Sequence, residues 1–181
     1  PAPRAATSAT SARMQPPTWP ALPSGAAFDA LYEVSPVAGI EAARAHAQAI
    51  AALLAEVGVN VDCLPLLDVR DPAGHDIIGD RALGAEPLRV AAMGRAVVEG
   101  LRAGGVVGVV KHIPGHGRAR ADSHVELPVV EADEAALERD IAPFRQLSGA
   151  PMAMTAHVVY PAWDAERCAS LSPVVIGEVI R

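Results

Sequence analysis

The sequence predicts an α/β chain built on a parallel sheet, and three observations carry that expectation. Short β-branched runs alternate with longer segments of helical periodicity. The run at residues 106–110 is apolar without polar alternation, which suits a strand covered on both faces. The intervals between such runs are long enough to hold a helix, as right-handed parallel crossovers require. With 181 residues, 51% of them hydrophobic, the chain has enough apolar surface for a sizeable core. Its formal charge of −6 argues against general nucleic-acid binding, which needs a basic face. No apolar stretch approaches the roughly twenty residues of a bilayer span, so no membrane partner is expected.

Residues 1–24 are rich in Pro, Ala, Ser and Thr and lack a periodic apolar face. They are expected to form a loose N-terminal segment, with residues 25–181 as the folded domain. The segment has neither an initiator Met nor the apolar stretch of a signal peptide, so it is not read as secretory. Residues 37–57 place Ile40, Ala43, Ala47, Ile50 and Leu54 on one helical face and stop at Gly58. His46 within this helix is expected to pack or face solvent. Residues 59–69 read as a strand running into a loop, in which Asn60, Asp62 and Asp68 need polar partners if buried. A loop over 71–85 leads to a second helix over 86–103. A third, over 131–147, begins with an acidic turn suited to the positive end of the helix dipole. Residues 152–160 read as the next strand, and Ser172 and Pro173 as the cap and first residue of a last helix. Cys63 and Cys168 have no metal or redox spacing. They fit buried free thiols in a reducing compartment, and a cytoplasmic location is expected.

The chemistry is concentrated in residues 111–124, which hold three of the six histidines. Lys111-His112-Ile113-Pro114-Gly115-His116-Gly117 follows the apolar strand directly, at the edge where parallel α/β sheets bind ligands. Pro114, Gly115 and Gly117 predict an exposed loop over 115–121. Asp122 and His124 lie two apart, which in an extended segment points both the same way. The carboxylate then holds one ring nitrogen and leaves the other for a substrate. Several plainer or different readings stand beside this one. The Lys-His pair also fits a hydrogen-bonded packing role, and the loop fits a solvated connection. A metal-dependent hydrolase would use His112, His116, His124 and Asp122 as ligands. The His112/His116 spacing suits a helical metal pair, but the intervening Pro-Gly denies the helix.

The ordered series Lys-His-Ile-Pro-Gly-His-Gly, then Asp-Ser-His, then Leu127-Pro128 resembles the signature of the β-N-acetylhexosaminidases of glycoside hydrolase family 3, the peptidoglycan-recycling type. The resemblance implies a (β/α)8 TIM barrel as the parent fold. A whole barrel needs roughly 200 residues or more. Only three strands are clearly legible here, so part of a barrel, incomplete at both ends, is expected. The resemblance further implies that Lys111 and His112 bind an N-acetylglucosamine unit, and that His124 is the general acid/base with Asp122 assisting it. Ile78-Gly79-Asp80-Arg81 resembles a segment whose arginine contacts the sugar, and a guanidinium can grip sugar oxygens with two parallel bonds. The plainer reading of Arg81 is a surface ion pair with Asp80 or Asp76. Met154-Thr155-Ala156-His157 resembles a pocket-lining segment, so His157 is carried over as substrate-binding. Arg13 is carried over likewise, although residues 5–12 hold no counterpart of the acidic, glycine-rich loop of the family.

The implied substrate is a small GlcNAc-containing muropeptide, cleaved with retention at a terminal non-reducing β-linkage, with no metal and no cofactor. Retaining enzymes use a carboxylate nucleophile. An imidazole, titrating near ~6.5, suits the accompanying proton transfers near neutral pH. The nucleophile is implied to be an aspartate of a Ser-Asp-Asp-Leu strand, a motif this sequence does not contain. Asp164 sits in a loop pattern and is left unassigned. The chain is therefore expected to carry the acid/base half of the site and to hydrolyse little alone. A degenerate sugar-binding chain that kept Arg81, Lys111 and His112 is the further alternative.

Overall fold

The computed structural model describes residues 22–181 together with the backbone of Ala5–Ala6. Arg13 and most of the segment expected to be loose lie outside the described residues. In chain order the elements are β1 (Ala5–Ala6), α1 (Gly25–Val34), α2 (Pro36–Glu56), β2 (Val61–Asp62), α3 (Pro87–Ala103), β3 (Val107–Ile113), α4 (Glu134–Gln146), β4 (Met152–Thr155), β5 (Val159–Tyr160) and β6 (Asp164–Cys168). A wide helical turn, Val175–Ile180, follows.

Four strands form one sheet in the order β1-β2-β3-β4, every pair parallel. Sequence order and spatial order coincide, and α2, α3 and α4 each fill a crossover between neighbours. Singly wound βα units of this kind are what build an α/β barrel.

The helices form where capping and apolar spacing coincide. Ser35 accepts from the Ala38 amide at 3.4 Å and Pro36 occupies the first turn of α2. The inner face of α2 is Ala43, Ala47, Ile50, Ala51 and Leu54, all buried, and the helix ends before Gly58, whose φ is 73°. Glu86 caps α3 through the Arg89 amide at 2.8 Å, and Asp133 caps α4 through the Ala136 amide at 2.8 Å. The third helix thus starts at Glu134 rather than 131, because Asp133 takes the cap. The core under the sheet gathers Leu64, Leu66, Leu67, Val90, Met93, Leu101, Val106, Val110 and Ile141.

The sequence reading differs from these elements in two places. Helix α1 was not expected. Only Gly25 and Phe28 of it are buried and Ser24 makes no side-chain cap, so its local signal is weak. It is held from outside, by Asp29 accepting from Arg89 of α3 at 2.7 Å and by the Arg89 guanidinium lying 4.9 Å from the Tyr32 ring centre. The single strand expected over 152–160 is interrupted after Thr155. Its second part, β5, turns back to pair antiparallel with β6. The expected last helix does begin at Ser172, whose hydroxyl accepts from the Val175 amide at 3.1 Å.

Candidate functional site

The site grows from the C-terminal ends of β2 and β3. Asp68, in the segment after β2, is completely buried, and its carboxylate is the hub. Its Oδ1 accepts the His116 amide at 2.7 Å and the His112 amide at 3.2 Å. Its Oδ2 lies 2.8 Å from His112 Nδ1. Burial pushes the Asp68 carboxyl up, but the His112 charge and these hydrogen bonds more than offset it and hold the group below its ordinary value. Asp68 is expected from the sequence to need polar partners if buried; it has them, and they fix the His112 ring with Nδ1 inward.

Lys111 follows the register of β3, paired with Met154 of β4, and is buried. Burial lowers its pKa, and the nearby Arg81 charge lowers it further, while Cys63, Asp62 and Asp68 act in the opposite direction. Asp62, fully buried on β2, has no well-formed hydrogen bond to either oxygen among the described residues. Burial raises it to about 6, against the opposing pull of Lys111 and the Cys63 amide. Arg81 makes no ion pair with Asp76 or Asp80. Its guanidinium donates to the Ile77 carbonyl and lines an apolar recess with Phe28, His46, Leu64 and Leu66. Lys111, His112 and Arg81 are thus brought to one side of the sheet end.

The loop expected to be exposed is not. Gly115, His116, Gly117 and Ala119 are buried and only Arg120 is open to solvent. The glycines allow this: a Cβ on Gly117 would overlap the Val69 carbonyl, and one on Gly115 would reach within 3.0 Å of the Asp140 Cβ. Tyr160 donates to the Gly115 carbonyl at 2.7 Å. Arg118 bridges Asp140 of α4, at 2.6 Å, and Asp71, at 2.8 Å. Even so, burial keeps the Asp140 carboxyl raised to about 6.

Asp122 and His124 meet as expected, but by a different geometry. The segment is a turn, in which one carboxylate oxygen of Asp122 takes both the His124 amide, at 2.8 Å, and His124 Nδ1, at 2.7 Å. Those two bonds hold Asp122 below its ordinary pKa. The His124 side chain is 79% exposed, on the outer tip of the loop rather than in the buried cluster. Among the described residues its Nε2 has no hydrogen-bond partner, and Nδ1 carries the proton because the carboxylate facing it can only accept. His157, past the end of β4, is also exposed, with Nδ1 at 2.6 Å from Ser170 Oγ.

Sequence reasoning weighed His116 only as a ligand of the metal-hydrolase alternative. Its ring is buried, lies 5.6 Å from that of His112 and reaches Ser123 Oγ at 3.0 Å. Its contact with Ser123 of the Asp-Ser-His turn depends on how the loop between them folds, which the spacing alone does not give. Asp164 accepts from the Ser172 hydroxyl at 2.7 Å and from two backbone amides, a turn-stabilising role. Among the described residues, no group of three or more His, Cys, Asp or Glu side chains converges as a metal site, so the four ligands of the metal-hydrolase reading are not assembled.

Residues 12–181 match the family model described as the glycosyl hydrolase family 3 N-terminal domain. The chain belongs to glycosyl hydrolase family 3. A β-hexosaminidase of Aromatoleum aromaticum is 42% identical over 146 residues, which are 79% of this chain and 41% of that protein. One of Thiobacillus denitrificans is 37% identical over 163 residues, covering 88% and 45%. Among solved structures, NagZ from Neisseria gonorrhoeae in complex with N-trifluoroacetyl-D-glucosamine superposes with a TM-score of 0.85 at 32% identity, over 92% of this chain and 50% of that one. A family 3 β-N-acetylglucosaminidase from Paenibacillus gives 0.79 at 35% identity, over 86% and 29%. The family 3 chain therefore spans about half the length of these relatives or less, and its parallel sheet is part of the α/β barrel they share.

Proposed function

We propose that the protein carrying this chain is a retaining β-N-acetylhexosaminidase that removes terminal non-reducing β-N-acetylglucosamine from peptidoglycan-derived muropeptides in the cytoplasm. The observation that carries the proposal is the Asp122–His124 pair, an imidazole oriented through Nδ1 at 2.7 Å with a free Nε2 facing solvent. In the first step His124, as imidazolium, gives its Nε2 proton to the glycosidic oxygen as the C1–O bond breaks. An aspartate beyond Arg181 forms a bond to C1. In the second step Nε2 takes a proton from water, whose oxygen attacks C1 and releases the aspartate, giving the β-product. Asp122 stabilises the cationic ring before the first step and after the second.

Lys111, His112 and Arg81 are proposed to bind the sugar, His157 to line the pocket and Arg13 to assist. A 2-acetamido sugar as substrate is supported by the β-hexosaminidase names of the relatives and by the N-trifluoroacetyl-D-glucosamine held by the Neisseria protein. The free, buried Cys63 and Cys168 fit a reducing compartment. No step requires a metal or organic cofactor. Proton NMR of the sugar first released from 4-nitrophenyl N-acetyl-β-glucosaminide by the full-length protein tests the reading. The β-anomer is expected; the α-anomer, or no hydrolysis, would overturn it.

A further inference from the structure

Among the described residues, the turn bearing Asp122 and His124 has a single hydrogen-bond tether to the residues outside it. Within residues 120–127 the other hydrogen bonds are local: the two from His124 to Asp122, and the Val125 and Glu126 amides to the Asp122 carbonyl at 2.9 and 3.0 Å. Among the described residues, the one hydrogen bond from this stretch to a residue outside it joins Ser123 Oγ to His116 Nε2, at 3.0 Å. His116 is itself fixed. Its ring is 3% exposed, its amide is held by Asp68 at 2.7 Å, and Asp68 also holds the His112 ring at 2.8 Å.

We infer that Ser123, gripped by the buried His116, is a positioning residue that fixes the turn carrying the His124 imidazole relative to the site. The inference rests on the acid/base reading of His124 and adds the device that aims it. Burial holds His116 below its ordinary pKa, so the ring is neutral. A neutral ring offers one donor and one acceptor, and a hydroxyl can meet either at Nε2. Among the described residues His116 Nδ1 has no partner, so the Ser123 contact is the ring's one side-chain hydrogen bond there. An exposed turn anchored by one bond keeps its general acid aligned only while that bond persists, and proton transfer depends on alignment.

Ser123 is half-buried in a turn, and removing its hydroxyl takes away no apolar core contact but leaves the His116 ring without its side-chain partner. The test compares the full-length protein with its Ser123→Ala, Ser123→Thr and His124→Ala forms on two N-acetyl-β-glucosaminides. One has an activated aryl leaving group that departs without protonation, the other an alkyl leaving group that needs it. For Ser123→Ala, kcat/KM on the alkyl glycoside should fall on the order of tenfold, as loss of one aligning hydrogen bond would give, with less than about a twofold fall on the aryl glycoside. Ser123→Thr, which keeps the hydroxyl, should retain the alkyl activity. His124→Ala should lose on the order of 10²–10⁴ on the alkyl glycoside. Equal losses on both glycosides in Ser123→Ala would overturn the inference, since a structural or binding defect ignores the leaving group. An unimpaired Ser123→Ala beside a crippled His124→Ala would overturn it alone. An unimpaired His124→Ala would remove the acid/base reading beneath it as well.

Discussion

Asp68 shows how one buried carboxylate organises a site. It takes two amides and an imidazole, and that satisfaction is why a completely buried charge is tolerated there. Asp68→Ala leaves those donors unpaired and should cost about 3–5 kcal/mol in urea unfolding, with the His112 ring released. Because its folded pKa is depressed, its contribution is present above the unfolded value and is lost as pH falls through the folded one. Asp62 works the other way. Raised from 3.8 to about 6, it costs the fold stability as pH rises between those values. Asp62→Asn should therefore gain on the order of 1–3 kcal/mol at pH 7 and flatten the stability profile between pH ~4 and ~6. Thermal melts across that range check it; an unchanged slope would contradict it. The carboxylates were legible in the sequence as polar groups on an apolar strand. Which of them is satisfied was not, because the partners of Asp68 come from residues 112 and 116, across the sheet.

Among the elements, the segment after β3 departs most from a local reading. Proline and glycines there resemble a solvated loop, but the glycines are present because the backbone of residues 69–74 lies against that of 115–119. The His75 amide donates to the Ala119 carbonyl at 2.6 Å, and Cβ atoms on Gly74 or Gly117 would overlap the opposing carbonyls. Gly117→Ala should cost on the order of 1–3 kcal/mol through forced backbone shifts. A melting temperature equal to that of the parent would refute this close approach. The helices were easier to anticipate, because Ser35, Glu86 and Asp133 place a cap directly before an apolar stripe. Helix α1 escaped notice because an ion pair and an aromatic contact from α3 hold it, and neither leaves a periodic trace in its own sequence.

For the whole molecule, the order β1-β2-β3-β4 reproduces the successive winding of an α/β barrel across a chain about half as long as its relatives. Strand β4 pairs within the sheet on its β3 side, and Met152 and Met154 on it are exposed. An open apolar strand edge recruits other edges. The 181-residue chain expressed alone should therefore self-associate, and Met152→Lys with Met154→Lys should reduce the light-scattering mass. The motif that marked the family lies at the end of β3 and in the segment that follows it. The resemblance was readable because a long ordered string of residues survives where the sheet positions them. The exposed tip carrying His124 was placed by the turn at Asp122, a geometry the i, i+2 spacing alone did not specify.

The central claim is that His124 is the proton donor and acceptor of this protein. It is tested most directly by the steady-state turnover of an alkyl N-acetyl-β-glucosaminide, whose leaving group needs protonation, by the full-length protein and its His124→Ala variant. A fall in kcat on the order of 10²–10⁴ is predicted, with the fold intact by circular dichroism. Turnover within a few-fold of the parent would contradict the account.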